Sequence, residues 1–145
     1  MDMEKLLSMD EVRKTVPKIL VVGGDSFSEP LMEYALKMAQ RLDFEIISLN
    51  IGEDMLTLSG TEREQEEVRF YERAKSSAAD FAEQGRKMSV NVTSVIDINE
   101  KKKAIAEMEK QDSSIRYILS EPEPGRIGTA GGRVVNPVFN LVCSR

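Results

Sequence analysis

The side chains able to do chemistry are few here, and their types limit what the chain can be. Histidine is absent from all 145 residues. That removes Ser-His-Asp and Cys-His catalysis, histidine-ligated metals and the usual general base at neutral pH. Carboxylates, Lys, Ser and Tyr remain, a poor inventory for elaborate acid–base work. No catalytic residue and no metal site is assigned, and the balance is against an enzyme. Asp25, in Gly23-Gly24-Asp25-Ser26, and Asp97 could form the acidic pair of a phospho-receiver. A long second helix and the lack of a lysine after the last strand disfavour that reading. Lys101-Lys102-Lys103 is the one basic run; at a helix start it reads as a solvated face before it reads as a phosphate site. Cys143, the single cysteine, has no intrachain partner for a disulfide and reads as a small buried hydrophobe in a terminal strand.

These residues need elements to position them. Ile19-Leu20-Val21-Val22 is an apolar run ending in Gly23-Gly24, the pattern of a strand buried on both faces that leads into a tight turn. Ser28 then offers a helix cap, with Glu29 and Pro30 in the first turn. Leu31, Tyr34, Ala35, Met38, Ala39 and Leu42 recur at helical spacing and predict one core-facing stripe. A second strand is expected over Phe44 to Ile51, giving a βαβ unit. Thr61-x-x-Glu64 reads as a capping box for a helix of about 35 Å, with Val68, Tyr71, Ala74, Ala78, Phe81 and Ala82 on its inner face.

Val90 to Ile96 is the third expected strand, and Asn99 can cap a helix that turns Ala104, Ile105 and Met108 inward. Ile115 to Leu119 is the fourth. Glu121-Pro122-Glu123-Pro124-Gly125 breaks regular structure, and Val134 to Cys143 supplies a last strand interrupted by Pro137. Strands alternating with helices imply right-handed crossovers and a parallel sheet covered on both faces. Ligands of such sheets lie beyond the carboxyl ends of the strands, which here means Gly23–Ser28, Ile51–Gly52, Asp97–Asn99 and Ser120–Thr129.

Composition sets the outer bounds. Hydrophobic residues at 41% and charged residues at 31% are ordinary globular values, and no apolar run approaches the ~20 residues of a membrane helix. The expected organisation is an N-terminal arm or short helix over residues 1–16, then one α/β domain over 17–145. The arm has Leu6, Leu7, Met9 and Val12, with Ser8-x-x-Glu11 as a capping box, but no uninterrupted apolar core of a secretory signal, so a cytoplasmic location is expected. A formal charge of −5 and the lack of a broad basic stretch argue against a nucleic-acid surface.

Lys18-Ile-Leu-Val-Val, followed by Gly-Gly-Asp-Ser-Phe-Ser-Glu-Pro-Leu-Met-Glu-Tyr-Ala-Leu, resembles the opening of universal stress proteins. Leu49-Asn50-Ile51, the long second helix, Asp97 before the Lys-rich helix, and Asn136-Pro137-Val138 occupy the corresponding later places, so the likeness runs from about Lys18 to Cys143. It implies a three-layer α/β sandwich with an open, mostly parallel five-stranded sheet of order 3-2-1-4-5. ATP-binding members carry an acid after the first strand and a later Gly-x-x-Gly, nine residues, then Gly-Ser/Thr. Glycines there let backbone N–H groups approach phosphates. By that resemblance the nucleotide-binding candidates are Gly24, Asp25, Ser26, Ile51, Ser120, Gly125, Arg126, Gly128 and Thr129, with ATP or AMP as ligand and no intrinsic metal. Gly24 stands at the family's acidic position, Asp25 follows one residue later, and only Thr129 to Asn136 separate Gly128 from Pro137. The second half of the phosphate cradle therefore has no room.

The resulting expectation is a regulatory or stress-response protein acting as a dimeric module, with nucleotide binding weak, altered or lost. Val138, Phe139, Asn140, Leu141 and Val142 are the candidate dimer edge. A protein partner or a transporter is a further expected class of contact, without direct membrane insertion. One alternative is an ATP/AMP-binding switch. The other is an ATP-using enzyme, since Gly23-Gly24-Asp25-Ser26 partly resembles the Ser-Gly-Gly-x-Asp-Ser loop of ATP pyrophosphatases but is one residue short.

Overall fold

The computed structural model describes residues 16–121, 129–130, 133–134 and 139–144. Strands β1 (Lys18–Gly23), β2 (Glu45–Ile51), β3 (Val92–Asp97) and β4 (Ile115–Ser120) alternate with helices α1 (Glu29–Leu42), α2 (Gly60–Lys87) and α3 (Lys101–Gln111). A 3-10 turn, Asp54–Thr57, follows β2. Two short strands, β5 (Thr129–Ala130) and β6 (Arg133–Val134), pair with each other, and β7 (Asn140–Cys143) completes the main sheet. The sheet order is β3-β2-β1-β4-β7, the expected 3-2-1-4-5 when only its own five strands are counted.

Apolar alternation along β1 and β2 explains the layers. Ile19, Val21 and Ile46 point to α1 and α2, where Leu31, Ala35, Leu36, Ala39 and Phe81 meet them. Leu20, Val22, Ile47, Leu49 and Ile51 point to the other face, which Ala104 of α3 covers. A strand of a parallel sheet is apolar on both faces because helices lie on both, and β1 at the centre is the clearest case. Its neighbours β2 and β4 are parallel to it, as is β3 to β2.

Several local expectations differ in detail. Ser28 caps α1 as expected, its hydroxyl accepting from the N–H of Leu31 at 3.3 Å; Leu31, Ala35 and Ala39 are buried as expected, but Tyr34 and Leu42 are exposed, and Met32 and Leu36 join the buried stripe instead. Helix α2 starts one residue before Thr61, through Gly60 at φ 62°, so Thr61 lies inside the first turn and the capping box does not form. Its buried stripe is Phe70, Ala74, Ala78, Phe81 and Gly85. Val68 is 57% exposed and Tyr71 is also outward, because a straight stripe at 3.6 residues per turn through Ala74 and Phe81 passes through Phe70. At 28 residues α2 is about 42 Å long. Glu100 rather than Asn99 is the cap residue of α3, with the Asn99 side chain accepting from the Glu100 N–H at 2.8 Å.

The largest correction concerns the end of the chain. Val134 belongs to the small β5–β6 pair, while the last sheet strand begins at Asn140 and runs antiparallel to β4. A parallel neighbour requires a crossover of a dozen or more residues, usually a helix, and the Pro/Gly-rich stretch after Ser120 is unsuited to one. Cys143 is exposed, against expectation, because β7 is an edge strand. Residues 1–15 of the expected N-terminal arm, and Pro137 and Val138, lie outside the described residues.

At the opposite end of the sheet from the β1–α1 turn, Lys18 Nζ meets Asp112 Oδ2 at 2.5 Å, tying β1 to the end of α3. Burial pushes the Asp112 carboxyl up, but hydrogen bonds from Lys18 and from the Ser114 hydroxyl and N–H, with the Lys18 charge, outweigh it and hold the group below its ordinary value. A depressed folded value makes this contribution complete above the unfolded carboxylate range, from about pH 5, and lost as pH falls through the folded value. Urea unfolding between pH 3 and 7 should therefore show Asp112→Asn destabilised at pH 7, with the difference from wild type shrinking toward pH 3.

Candidate functional site at the carboxyl ends of the strands

The turn from β1 to α1 is pinned from three sides. Phe27 is buried with its ring edge-to-face on Phe81, centroids 5.3 Å apart, and its N–H donates to Ser77 Oγ of α2 at 2.9 Å. A side chain at Gly23 would meet the Phe27 ring at 2.7 Å, so the turn closes only over a glycine. From β2, the Asn50 amide donates to the Gly24 carbonyl at 2.9 Å. From the end of β4, the Glu121 carboxylate accepts from the Ser28 hydroxyl and, at 3.3 Å, from the Ser28 N–H.

Beside this turn opens a cleft of about 690 Å³. Ile51, Met55 and Phe70 give it an apolar floor, and Gly23, Gly24 and Gly52 bring backbone to its surface. Its rim is charged: Asp25, Glu53, Asp54, Glu66 and Glu121 against Arg69, Arg73 and Lys101. Two of the cations are engaged within the rim, Arg73 Nη1 with Asp25 Oδ2 at 3.2 Å and Arg69 Nη1 with Glu66 Oε1 at 2.8 Å. Gly24 differs from its neighbours. A Cβ built on it meets no described residue within 4 Å, and its φ lies outside the left-handed region. Among the described residues no group of three or more Asp, Glu, Cys or His is placed to hold a metal ion, and no helix is long and apolar enough to cross a membrane.

No protein-family model matches the chain, and no curated protein matches it in sequence. Solved structures do. A universal stress protein from Archaeoglobus fulgidus superposes with a TM-score of 0.55 at 15% identity, over 83% of this chain and 84% of that one. The universal stress protein UspA from Lactobacillus plantarum gives 0.50 at 19% identity, over 80% and 86%. The fold is that of the universal stress proteins. A universal stress family protein from Arabidopsis thaliana, solved with AMP bound, aligns over 66% of this chain and 71% of its own with a TM-score of 0.45 at 15% identity.

Within this universal stress fold, the candidates named from sequence divide. Gly24, Asp25 and Ile51 line the cleft together. Ser26 lies outside it, on a shallower groove shared with Glu72, Arg73 and Asp80 of α2. Ser120 is buried in the sheet beside Val22 and Asn140, and its neighbour Glu121 takes the place on the rim. Gly125, Arg126 and Gly128 lie outside the described residues, and Thr129 is described only as a β5 residue paired with Val134. Asp97 is not on the cleft; its carbonyl accepts from the Gly52 N–H at 2.9 Å and its carboxylate from the Asn99 amide at 3.4 Å. Of the three lysines, Lys101 reaches the rim.

Sequence reasoning missed the contribution of α2 to the site. Arg69 and Arg73 stand four apart and flank Phe70, so one turn of helix supplies both floor and rim. The signal was the Phe70-Ala74-Ala78 spacing, which orients the arginines beside it toward the strand ends. Gly52 is the structural counterpart to Gly24: a Cβ there would lie 2.1 Å from Met55 Cε and 3.1 Å from the Phe70 ring. Gly52→Ala should push aside the Met55 methyl, the free end of a flexible side chain, and shift the Phe70 ring slightly, lowering stability by about 1 kcal/mol, the low end for overpacking, read as a shifted urea midpoint with an unchanged slope.

Proposed function

We propose that the chain is a cytoplasmic regulatory or stress-response protein of universal stress type, a dimeric module whose cleft takes the adenine nucleoside part of a ligand while the handling of phosphate is altered. Gly24 is the observation that carries the ligand reading. It lies on the cleft, neither crowding by a described residue nor a left-handed φ requires glycine there, and an absent side chain leaves the backbone open to close approach. The apolar floor of Ile51, Met55 and Phe70 suits a flat base, and Asp25 is a carboxylate near enough to the turn to accept from ribose or base. Arg73 already pairs with Asp25, so a ligand would share that carboxylate or displace the arginine.

The dimer reading rests on β7. Leu141 and Val142 are 44% and 56% exposed on an edge strand, and an apolar edge is a surface that natural sheets cover. Phe139, half-buried against Tyr34 with ring centroids 5.4 Å apart, would extend that surface onto α1. The ATP-using enzyme gains no support from the described rim, where two of the three described cations are engaged with carboxylates.

Calorimetric titration with adenosine, AMP and ATP should give saturable binding that Gly24→Val weakens about tenfold or more, a loss of ~1.4 kcal/mol, while thermal stability changes by no more than about 1 kcal/mol. Equal binding by both proteins would remove Gly24 from the site. In sedimentation, wild type should be a dimer at micromolar concentration and Val142→Lys a monomer; a wild-type monomer would end the dimer reading.

A further inference from the structure

We propose that Glu121 is a resident anion that tunes the cleft toward uncharged nucleosides and against their phosphates. The inference rests on the nucleoside reading above and adds the class of ligand preferred. The N-terminus of a helix attracts phosphate because its first N–H groups lack partners and the helix dipole is positive there. In this chain the entry of α1 is already occupied by a protein carboxylate: Glu121 accepts from both the N–H and the hydroxyl of Ser28, and Glu29 adds a second negative charge to the first turn.

The rest of the rim reinforces this. Arg73 is paired with Asp25 and Arg69 with Glu66. Among the described residues, Glu53, Asp54 and Glu121 then stand against Lys101, three negative charges to one positive. A phosphate monoester carries about −1.5 to −2 at neutral pH, so AMP placed with its base on the apolar floor brings like charge to an acidic rim. Adenosine presents the same base and ribose without that charge. Such repulsion between partly exposed groups is screened as ionic strength rises, the Debye length falling from about 10 Å at 0.1 M to 3 Å at 1 M.

The test is calorimetry of the full chain with adenosine and with AMP, at about 0.05 M and 1 M salt, on wild type and on Glu121→Gln, which keeps an oxygen acceptor for Ser28. Wild type at low salt should bind adenosine at least about tenfold tighter than AMP. That ratio should fall several-fold at high salt, and several-fold at low salt in Glu121→Gln. The salt series uses wild type alone and so decides the electrostatic part even if the variant is poorly folded. AMP binding as tightly as adenosine in wild type overturns the inference. So does an adenosine preference that neither salt nor the substitution reduces, and in that case the nucleoside reading still stands. No binding of either ligand overturns both.

Discussion

The wholly buried amide of Asn50 donates to the Gly24 carbonyl at 2.9 Å, and the geometry of the strand ends depends on it. It ties the turn after β1 to the neighbouring strand at the level where Gly23 pairs with Asn50. Without a fixed turn, Phe27 has no fixed path to its place under Phe81, and α1 has no fixed start. The interaction carries a cost. Asn50 Oδ1 and, two residues earlier, Ser48 Oγ are buried without a hydrogen bond to any described residue, where an unsatisfied polar group costs about 1–3 kcal/mol. An asparagine in the middle of an apolar layer is thus the link between strand packing and the shape of the cleft.

How much of this was legible in the sequence depended on whether the signal was local. Ile19-Leu20-Val21-Val22 announces a strand buried on both faces because four consecutive apolar residues before two glycines leave little else. Ser28-Glu29-Pro30 announces the start of α1 for equally local reasons. Helix α2 was harder: Val68 and Tyr71 are apolar and correctly spaced from one another, yet they lie on the exposed side, because only contact with β3 decides which of two adjacent stripes is inner. The last strand failed for a topological reason, since the alternation of Val134 to Cys143 does not record whether a crossover helix precedes it. The cleft was found by the rule that ligands gather at the carboxyl ends of parallel strands, whereas Asn50, Phe70 and Glu121 were not, because their roles arise from residues far away in the chain.

The low identity to the solved universal stress proteins, 15% and 19%, is understandable in the same terms. What the fold requires is a pattern: two-sided apolar strands, one apolar stripe per helix, and room for close approach at a few points. Gly85 is such a point, where a Cβ would lie 2.6 Å from the Val92 side chain and 2.8 Å from the Val90 carbonyl, allowing the end of α2 to settle onto the start of β3. Many residues satisfy a pattern, but the charges on the rim are free to differ without disturbing it. Architecture and the charge of the cleft rim are therefore separable properties of this chain.

The direction of β7 has a consequence for how the molecule can be joined to anything else. Because β7 runs against β4, pairing Cys143 with Tyr117 and Asn140 with Ser120, it carries the chain away from the cleft and back to the end of the sheet where β1 begins. Six residues of strand separate those two levels, about 20 Å. Ser144, whose N–H donates to the Arg116 carbonyl at 2.8 Å, thus lies about two strand spacings, roughly 10 Å, across from the start of β1. A pull applied at either point therefore acts on the end of the sheet opposite the cleft, and reaches the β1–α1 turn only through the length of the strands.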